Sequence, residues 1–497
     1  MTERGLKLAL PGRFTLPPLE LASGIALEPV ELPELTLRAT YLDTADLRLA
    51  RHGATLRKRT GERLEPIWTL GVGLRANGSS PEPSELDFDD GGREPPAAAL
   101  ALVRALSRHA PLVVVANLRI KRRRTRLVVE GTPVADVVDD EVSVIDGRRV
   151  VTRFRELTVD ALEPIVDLDR INELLRAAGA IGAEPVPNVV RALGSRATAP
   201  PDVVAPRMPA EPTMADALSA ALADAYLRLV RNDAGARLGD VEAVHQLRVA
   251  LRRLRSDLRT LGDAVDPSWR VETEPVLRSL GRALGAARDL DVLADGLRAD
   301  IADEDDEASR ALLGRVDVRR AAARRDVATA LDDEAYLDLI ESLVAASADP
   351  PRGPGAELAA AAALPERVLG AWHALQERAD ALDRSSPDAD FHRVRIDAKR
   401  ARYAAELAAR VLSGKRADGA ARAAAKITEI QECLGALQDA ALAEQTMRMT
   451  GRSTTSINAF AAGRLAERAR VRGLAARAQF LELWPKARRR RWWKWAE

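Results

Sequence analysis

Two different hydrophobic periods divide the chain. Before about residue 193 the apolar residues form short, β-branched runs between Gly, Pro and Asn-Gly signals. This pattern predicts strands, with helices over 100–107 and 167–178 packed on the sheet. The clearest predicted strands span residues 35–42, 112–115, 127–130 and 134–138. From about Met214 onward the period is helical, which predicts an all-α region.

Proline-rich breaks set the predicted domain boundaries. Residues 194–213 contain a Pro-Pro pair and three further prolines, which is typical of a linker. A second Pro/Gly break at 349–355 splits the helical region. We therefore predict a strand-rich domain over 1–193, a linker over 194–213 and a helical domain over 214–482. Its halves, about 214–348 and 356–482, each have room for about four helices, and a tail follows over 483–497.

A basic helix pattern occurs twice in the helical region. The two copies align His245, Arg248, Arg252, Arg253 and Arg255 with His392, Arg395, Lys399, Arg400 and Arg402. Spacings of three and four residues keep side chains on one helix face, and Arg259 extends the first copy. Leucines at 247, 251, 254, 258 and 261 form a second stripe about 200° around the helix. Each copy therefore predicts an apolar back and a cationic front.

The cationic front is consistent with two interpretations. A run of charge is usually a solvated helix face. Such faces normally mix acids and bases, however, and like charges four residues apart cost helix stability. Because this unfavourable pattern occurs twice, we favour a surface that binds a polyanion. Arg278 and Arg282 on the next predicted helix are further candidates, since they also share a face.

A second motif repeats after the basic helices. Residues 284–289 read Leu-Gly-Ala-Ala-Arg-Asp, and residues 434–439 read Leu-Gly-Ala-Leu-Gln-Asp. The repeat predicts two pseudo-symmetric four-helix bundles. Asp289 and Asp439 either hold an arginine in place or are ordinary exposed carboxylates.

The two repeated motifs together resemble the CHAD family over roughly 214–482. The resemblance implies two four-helix bundles whose basic helices face a shared groove, and binding of inorganic polyphosphate without a cofactor. Arginine suits this ligand because its planar fork matches phosphate oxygens. His245 and His392 either donate to phosphate or orient a neighbouring group.

Composition and charge limit the kinds of anion site, metal site, partner and cellular location that the sequence supports. The net charge is +1, so anion binding must come from local clustering of charge. The single cysteine, Cys433, excludes an internal disulfide and a cysteine-based zinc cluster. Without an apolar signal core or a run of about 20 apolar residues, we expect a cytoplasmic protein, associated with polyphosphate granules if the CHAD resemblance holds. Nucleic acid is disfavoured as a partner because the basic helices lack interleaved aromatic residues. The oligomeric state stays open.

The strand-rich domain resembles the CYTH family, whose members form a β-barrel tunnel that holds a triphosphate. The resemblance rests on Tyr41-Leu-Asp-Thr-Ala-Asp46, Leu56-Arg-Lys-Arg59 and the acidic run 139–141. Strand alternation sends Arg57 and Arg59 to one side. The predicted tunnel cations are Lys7, Arg57, Arg59, Arg119 and Lys121.

Several charges of the CYTH pattern are missing from this chain. The family's opening Glu-x-Glu-x-Lys reads Glu3-Arg-Gly-Leu-Lys7 here. Gly71, Thr158 and Asn188 stand where the resemblance implies a lysine, a glutamate and a lysine. Glu3 and Glu156 remain as weak candidate ligands for Mg²⁺, which prefers oxygen donors. We therefore expect a degenerate scaffold or anion-binding barrel, and keep a Mg²⁺-dependent triphosphatase as the alternative.

Residues 486–495, near the end of the chain, combine six basic residues with three tryptophans. Such a tail could bind an anionic polymer, a membrane interface or bases. Alternatively, its tryptophans dock on the helical bundle.

Overall fold

A computed structural model describes residues 5–61, 65–75, 81–89, 92–182, 188–302, 307–454 and 456–497. The chain divides into two compact units, Met1–Pro201 and Asp202–Glu497. The first unit is built on a sheet and the second on helices, as the change of hydrophobic period predicts.

One antiparallel sheet forms the first unit. Its strands are β1 (Gly5–Leu10), β2 (Leu19–Glu20), β3 (Ala26–Asp43), β4 (Thr55–Thr60), β5 (Ile67–Arg75), β6 (Pro81–Phe88), β7 (Val113–Val129), β8 (Thr132–Asp146), β9 (Arg149–Ala161) and β10 (Ile181–Gly182). Their order is β10-β1-β9-β8-β7-β3-β4-β5-β6, and β2 pairs with β3. Residues from β1 and β3 through β9 line the same cavity, so the sheet curves around it.

Short helices cover parts of this sheet. They are α1 (Arg48–Arg51), α2 (Ala97–Ser107), α3 (Leu168–Ala177) and α4 (Asn188–Leu193). The predicted helices over 100–107 and 167–178 are confirmed as α2 and α3. On the outer face, Ile171 and Leu175 of α3 join a buried cluster with Leu8, Leu127 and Leu157 of the sheet. On the cavity side, Val189 of α4 joins a second cluster with residues of β3, β7 and β8.

The second unit is helical throughout its described elements, apart from short 3-10 turns. Its helices are α5 (Met214–Arg237), α6 (Val241–Leu261), α7 (Pro267–Ile301), α8 (Glu307–Asp332), α9 (Glu334–Ala348), α10 (Ala360–Asp380), α11 (Asp388–Val411), α12 (Gly414–Arg452) and α13 (Ser456–Ala487). Over the described residues the first half thus has five helices, where about four were predicted. The extra helix is α9, which begins where the Asp333 side chain accepts a hydrogen bond from the Ala335 N–H.

Local capping explains where the two basic helices begin. Asp240 caps α6, accepting hydrogen bonds from the backbone N–H groups of Glu242 and Ala243. The start of α11 has no such side-chain cap. Pro387 occupies the cap position, while the Ser386 hydroxyl accepts a hydrogen bond from the Asp383 N–H instead.

The end of the chain packs on the second half of the helical unit. Trp493 is buried and stacks on Trp372 of α10, with ring centroids 3.8 Å apart. Trp495 lies against Gly419 of α12, where an added Cβ would meet the Trp495 Cβ at 2.4 Å and its indole ring at 2.5 Å. Of the two arrangements considered for the tail, these tryptophans therefore adopt the one in which they dock on the helical bundle. None of the described helices is both long and apolar enough to cross a membrane.

Candidate functional site

The two copies of the basic helix lie side by side as α6 and α11. The predicted leucine stripe of α6 is buried, so its cationic face is turned away from the core. Arg248 and Arg252 of α6 and Arg395 and Lys399 of α11 all act electrostatically on one another. We call these four residues the central basic cluster.

Burial and repulsion within the cluster both act on its lysine. Burial, followed by the fields of Arg395, Arg252 and Arg248, lowers the pKa of Lys399 to about 6. Within the described residues the Lys399 ammonium has no ion-pair partner. The pKa values of Arg248 and Arg395 are also lowered, first by burial. The cluster therefore holds more positive charge than its own acids neutralise.

The second repeated motif supplies those acids. Asp289 of α7 pairs with Arg248 at 3.2 Å. At the matching place in the other half, Asp439 of α12 acts on Arg395 and partly offsets the lowering of its pKa. Gly285, from the same motif, lies beside Arg248, whose Nε is 3.8 Å from the position that a Cβ would take. Both repeats thus place an arginine of the basic helix opposite an aspartate of the following helix.

The two histidines have different surroundings. His245 is half-buried, and its Nδ1 is buried without a hydrogen-bond partner in the described structure. Burial, and then Arg288, lowers the pKa of His245. His392 is exposed, and its Nδ1 hydrogen-bonds the Gln438 side chain. Only His392 therefore has a fixed orientation from a neighbouring side chain.

The remaining predicted cations lie outside the central basic cluster, and most are engaged by acids. Arg253 and Arg402 both pair with Glu406, and Arg400 pairs with Asp397. Further along, Arg255 of α6 and Arg278 of α7 share Glu274 of α7, at 2.9 and 3.4 Å. Arg259 lies in the field of Arg400 and Arg255, which adds to the lowering of its pKa by burial. Arg282 is exposed.

A buried tyrosine supports the cluster and was not predicted. The Tyr403 hydroxyl accepts a hydrogen bond of 2.7 Å from Nε of Arg252. Its ring also faces the guanidinium groups of Arg253 and Arg402, at 5.7 and 4.4 Å from the centroid. The repeat could not indicate this residue, because the matching position of the first copy is Ser256.

The first unit contains a separate cavity of about 720 Å³. Lys7, Arg57 and Arg59 line it as predicted, and Arg122 of β7 lines it as well. Arg57 donates from Nη2 to both carboxylate oxygens of Glu85 at 2.8 Å. Arg122 donates from Nε and Nη2 to the two oxygens of Asp140, each at 2.8 Å. These buried or half-buried cations are thus already paired, unlike Lys399 in the helical unit.

Arg119 and Lys121 do not line this cavity, which corrects the prediction. Successive side chains of a strand point to opposite faces. Ile120 and Arg122 face the cavity, so Arg119 and Lys121 lie exposed on the outer face of β7. Both alternating sets of side chains on β7 contain basic residues, and the set that faces the cavity is not the predicted one.

The cavity does not fit a magnesium site over the described residues. Glu3 lies outside those residues. Glu156 is buried and is engaged by Lys7 at 3.1 Å and Arg191 at 3.2 Å. The described part of the chain contains no group of three His, Cys, Asp or Glu side chains placed to hold a metal ion. Gly71, Thr158 and Asn188 line the cavity without supplying a charge.

Comparisons with known proteins agree with this architecture. The CYTH domain model matches residues 1–184, and the CHAD domain model matches residues 220–448. An uncharacterized protein of Mycobacterium tuberculosis is 30% identical over 404 residues, which cover 75% of this chain and 76% of that protein. Among solved structures, the CHAD domain from the plant Ricinus communis is 27% identical, with a TM-score of 0.47, and the match covers 56% of this chain and 95% of that domain. PptA from Streptomyces chartreusis is 21% identical, with a TM-score of 0.46, over 55% of this chain and 99% of that protein. The chain therefore belongs to the proteins that join an N-terminal CYTH domain to a C-terminal CHAD domain.

Proposed function

We propose that this protein binds inorganic polyphosphate along the cationic faces of α6 and α11. The observation that carries the proposal is the central basic cluster, in which four basic side chains from the two repeats converge and, among the described residues, the Lys399 ammonium has no acidic partner. A folded protein gains no stability from such an arrangement. A bound polyanion would relieve the repulsion, because each phosphate brings the counter-charge that the cluster lacks.

The extent of the cationic surface favours a chain over a single phosphate. From His245 to Arg259 the face runs 14 residues, or about 21 Å at 1.5 Å per residue. Arginine forks at intervals of three to four residues can hold successive phosphate groups without contacting any base. Binding of long chains would also bring the protein to polyphosphate granules in the cell.

The proposal is tested by charge reversal in the cluster. We expect Arg252→Glu/Lys399→Glu to weaken binding of defined long-chain polyphosphate by at least 100-fold at fixed salt. The matched control is Arg315→Glu/Arg319→Glu, which reverses two exposed arginines four residues apart on α8. Equal losses in both variants would show general electrostatics and not a site.

A second candidate function is hydrolysis of a short phosphate chain in the CYTH domain. It is favoured by the cavity, which brings Lys7, Arg57 and Arg122 together with carboxylates. The pairing of those carboxylates with cations argues against an open metal site. Mg²⁺-dependent release of phosphate from tripolyphosphate, abolished by Glu156→Gln, would establish this activity. We expect no release above background.

A further inference from the structure

We propose that the CYTH domain carries a second polyphosphate-binding surface, on the outer face of its sheet and not in its cavity. The surface is a row of three arginines, Arg38 of β3, Arg119 of β7 and Arg153 of β9, which we call the outer row. The inference uses the ligand class proposed above but concerns a different domain.

The pairing of the strands places the outer row on one face. Arg38 lies directly opposite Arg119, Arg119 opposite Ser143, and Ser143 opposite Arg153. Residues directly opposite each other in an antiparallel sheet point to the same side. Neighbouring strands are about 4.8 Å apart, so the row spans about 14 Å from Arg38 to Arg153.

Burial shows that this face is the outer one. Arg38 itself borders the cavity, but it is exposed, and its neighbours Leu37 and Ala39 are buried with the inward-facing side chains. Alternation therefore turns the Arg38 side chain outward, and Arg38, Arg119 and Arg153 are all exposed. Lys121, two residues beyond Arg119, extends the same exposed face.

The arginines of the outer row lack the carboxylate partners that the arginines of the cavity have. Over the described residues, no carboxylate pairs with Arg38, Arg119 or Arg153, whereas Arg57 and Arg122 in the cavity each hold a carboxylate. The nearest acid in the ladder is Glu141, which lies opposite Lys121 and within 4.0 Å of Arg123. The positive charge of the row is thus left for an external anion.

The arrangement costs sheet stability, which is an argument for a function. Like charges directly opposite each other on neighbouring strands are destabilising, and Arg38 and Arg119 form such a pair. Ser143 lies buried between Arg119 and Arg153 and offers no carboxylate to offset the cost. A row of guanidinium groups fits a flexible phosphate chain, which can follow it across the strands.

The test uses the full chain and long-chain polyphosphate as the probe. In the background of Arg252→Glu/Lys399→Glu, the helical site is disabled, and we expect weaker but salt-sensitive binding to remain. Adding Arg38→Gln/Arg119→Gln/Arg153→Gln should lower this residual affinity at least tenfold. The matched control, Arg13→Gln/Arg93→Gln/Arg148→Gln, removes three exposed cations elsewhere on the same domain and should lower it less than threefold.

The outcomes separate this inference from the proposed function. If no residual binding remains, or if the control variant lowers it as much as the outer-row variant does, the outer row is overturned and the helical site still stands. If the outer-row variant alone loses binding while the helical variant keeps it, the outer row is supported and the helical site is overturned. Preference of the residual site for single-stranded nucleic acid of equal charge would overturn its assignment to polyphosphate. Circular dichroism of each variant checks that the sheet has kept its fold.

Discussion

Deprotonation of Lys399 should make polyphosphate binding depend strongly on pH. The free protein holds this lysine with a pKa of about 6, first because of burial and then because Arg395, Arg252 and Arg248 surround it. Asp439 is the acid that opposes them. A bound phosphate chain supplies negative charge to the charged ammonium, so binding raises the pKa of Lys399 toward its ordinary value. Binding above pH 6 must therefore take up a proton.

The size of the effect follows from linkage. At pH 6 about half of the free protein carries a charged Lys399, and at pH 8 only about one molecule in a hundred does. If the bound form stays charged over this range, affinity falls about 50-fold between pH 6 and pH 8 and levels off below pH 6. His245 faces the same cluster, and its lowered pKa adds a smaller slope at the acid end.

Isothermal titration calorimetry measures both the affinity and the proton uptake. Experiments in buffers with different ionisation enthalpies should give close to one proton taken up per binding event at pH 8. The ligand must be a long chain, because only the terminal phosphate groups of a chain titrate near neutrality and they are a small share of a long one. Lys399→Arg stays charged and should flatten the pH profile, whereas His245→Gln should leave most of it. A wild-type affinity that is constant from pH 6 to 8, or the same slope in Lys399→Arg, would refute the reasoning.

Three further predictions concern stability and its separation from binding. Lys399→Met should raise the free energy of unfolding of the unliganded protein by several kcal/mol near pH 5 and by less at pH 9, because wild-type folding must either bury the charged ammonium or, between pH 6 and the ordinary lysine pKa, expel its proton; denaturant melts at the two pH values check this. Tyr403→Phe removes the hydroxyl that accepts from Arg252, so it should cost about 1 kcal/mol of stability and weaken polyphosphate binding several-fold; an unchanged affinity would show that Arg252 needs no support. Trp493→Ala should cost about 3 kcal/mol, because it empties the stacked site on Trp372. The polyphosphate affinity of Trp493→Ala, measured well below the melting transition, should equal that of the wild type. A large loss of affinity would show that the tail is part of the binding surface.

The period of the apolar residues was sufficient to predict those features of the fold that depend on a single helix or strand. The leucines of α6 are buried as their spacing predicts, and Asp240 caps the helix because a short acidic side chain before an apolar repeat has few other roles. Strand alternation also placed Arg57 and Arg59 together in the cavity. It failed for Arg119, because β7 carries basic residues on both faces and the sequence does not mark which face is inside.

Contacts between distant elements lay beyond what the sequence could indicate. The pairing of Arg122 with Asp140 needs the register of β7 on β8, and the role of Tyr403 needs the approach of α11 to α6. The tryptophans of the tail pack on α10 and α12, and their composition alone was equally compatible with an exposed binding segment. The sequence identified which residues carry charge, whereas the structure distinguishes charges that are paired from charges that are not.

The central claim is that a phosphate chain lies on the central basic cluster, and a structure of the protein with bound polyphosphate tests it most directly. We predict a continuous row of phosphate groups within hydrogen-bond distance of Arg248, Arg252, Arg395 and Lys399. Phosphate found only in the CYTH cavity or on the outer row, with the cluster empty at saturating ligand, would contradict the account.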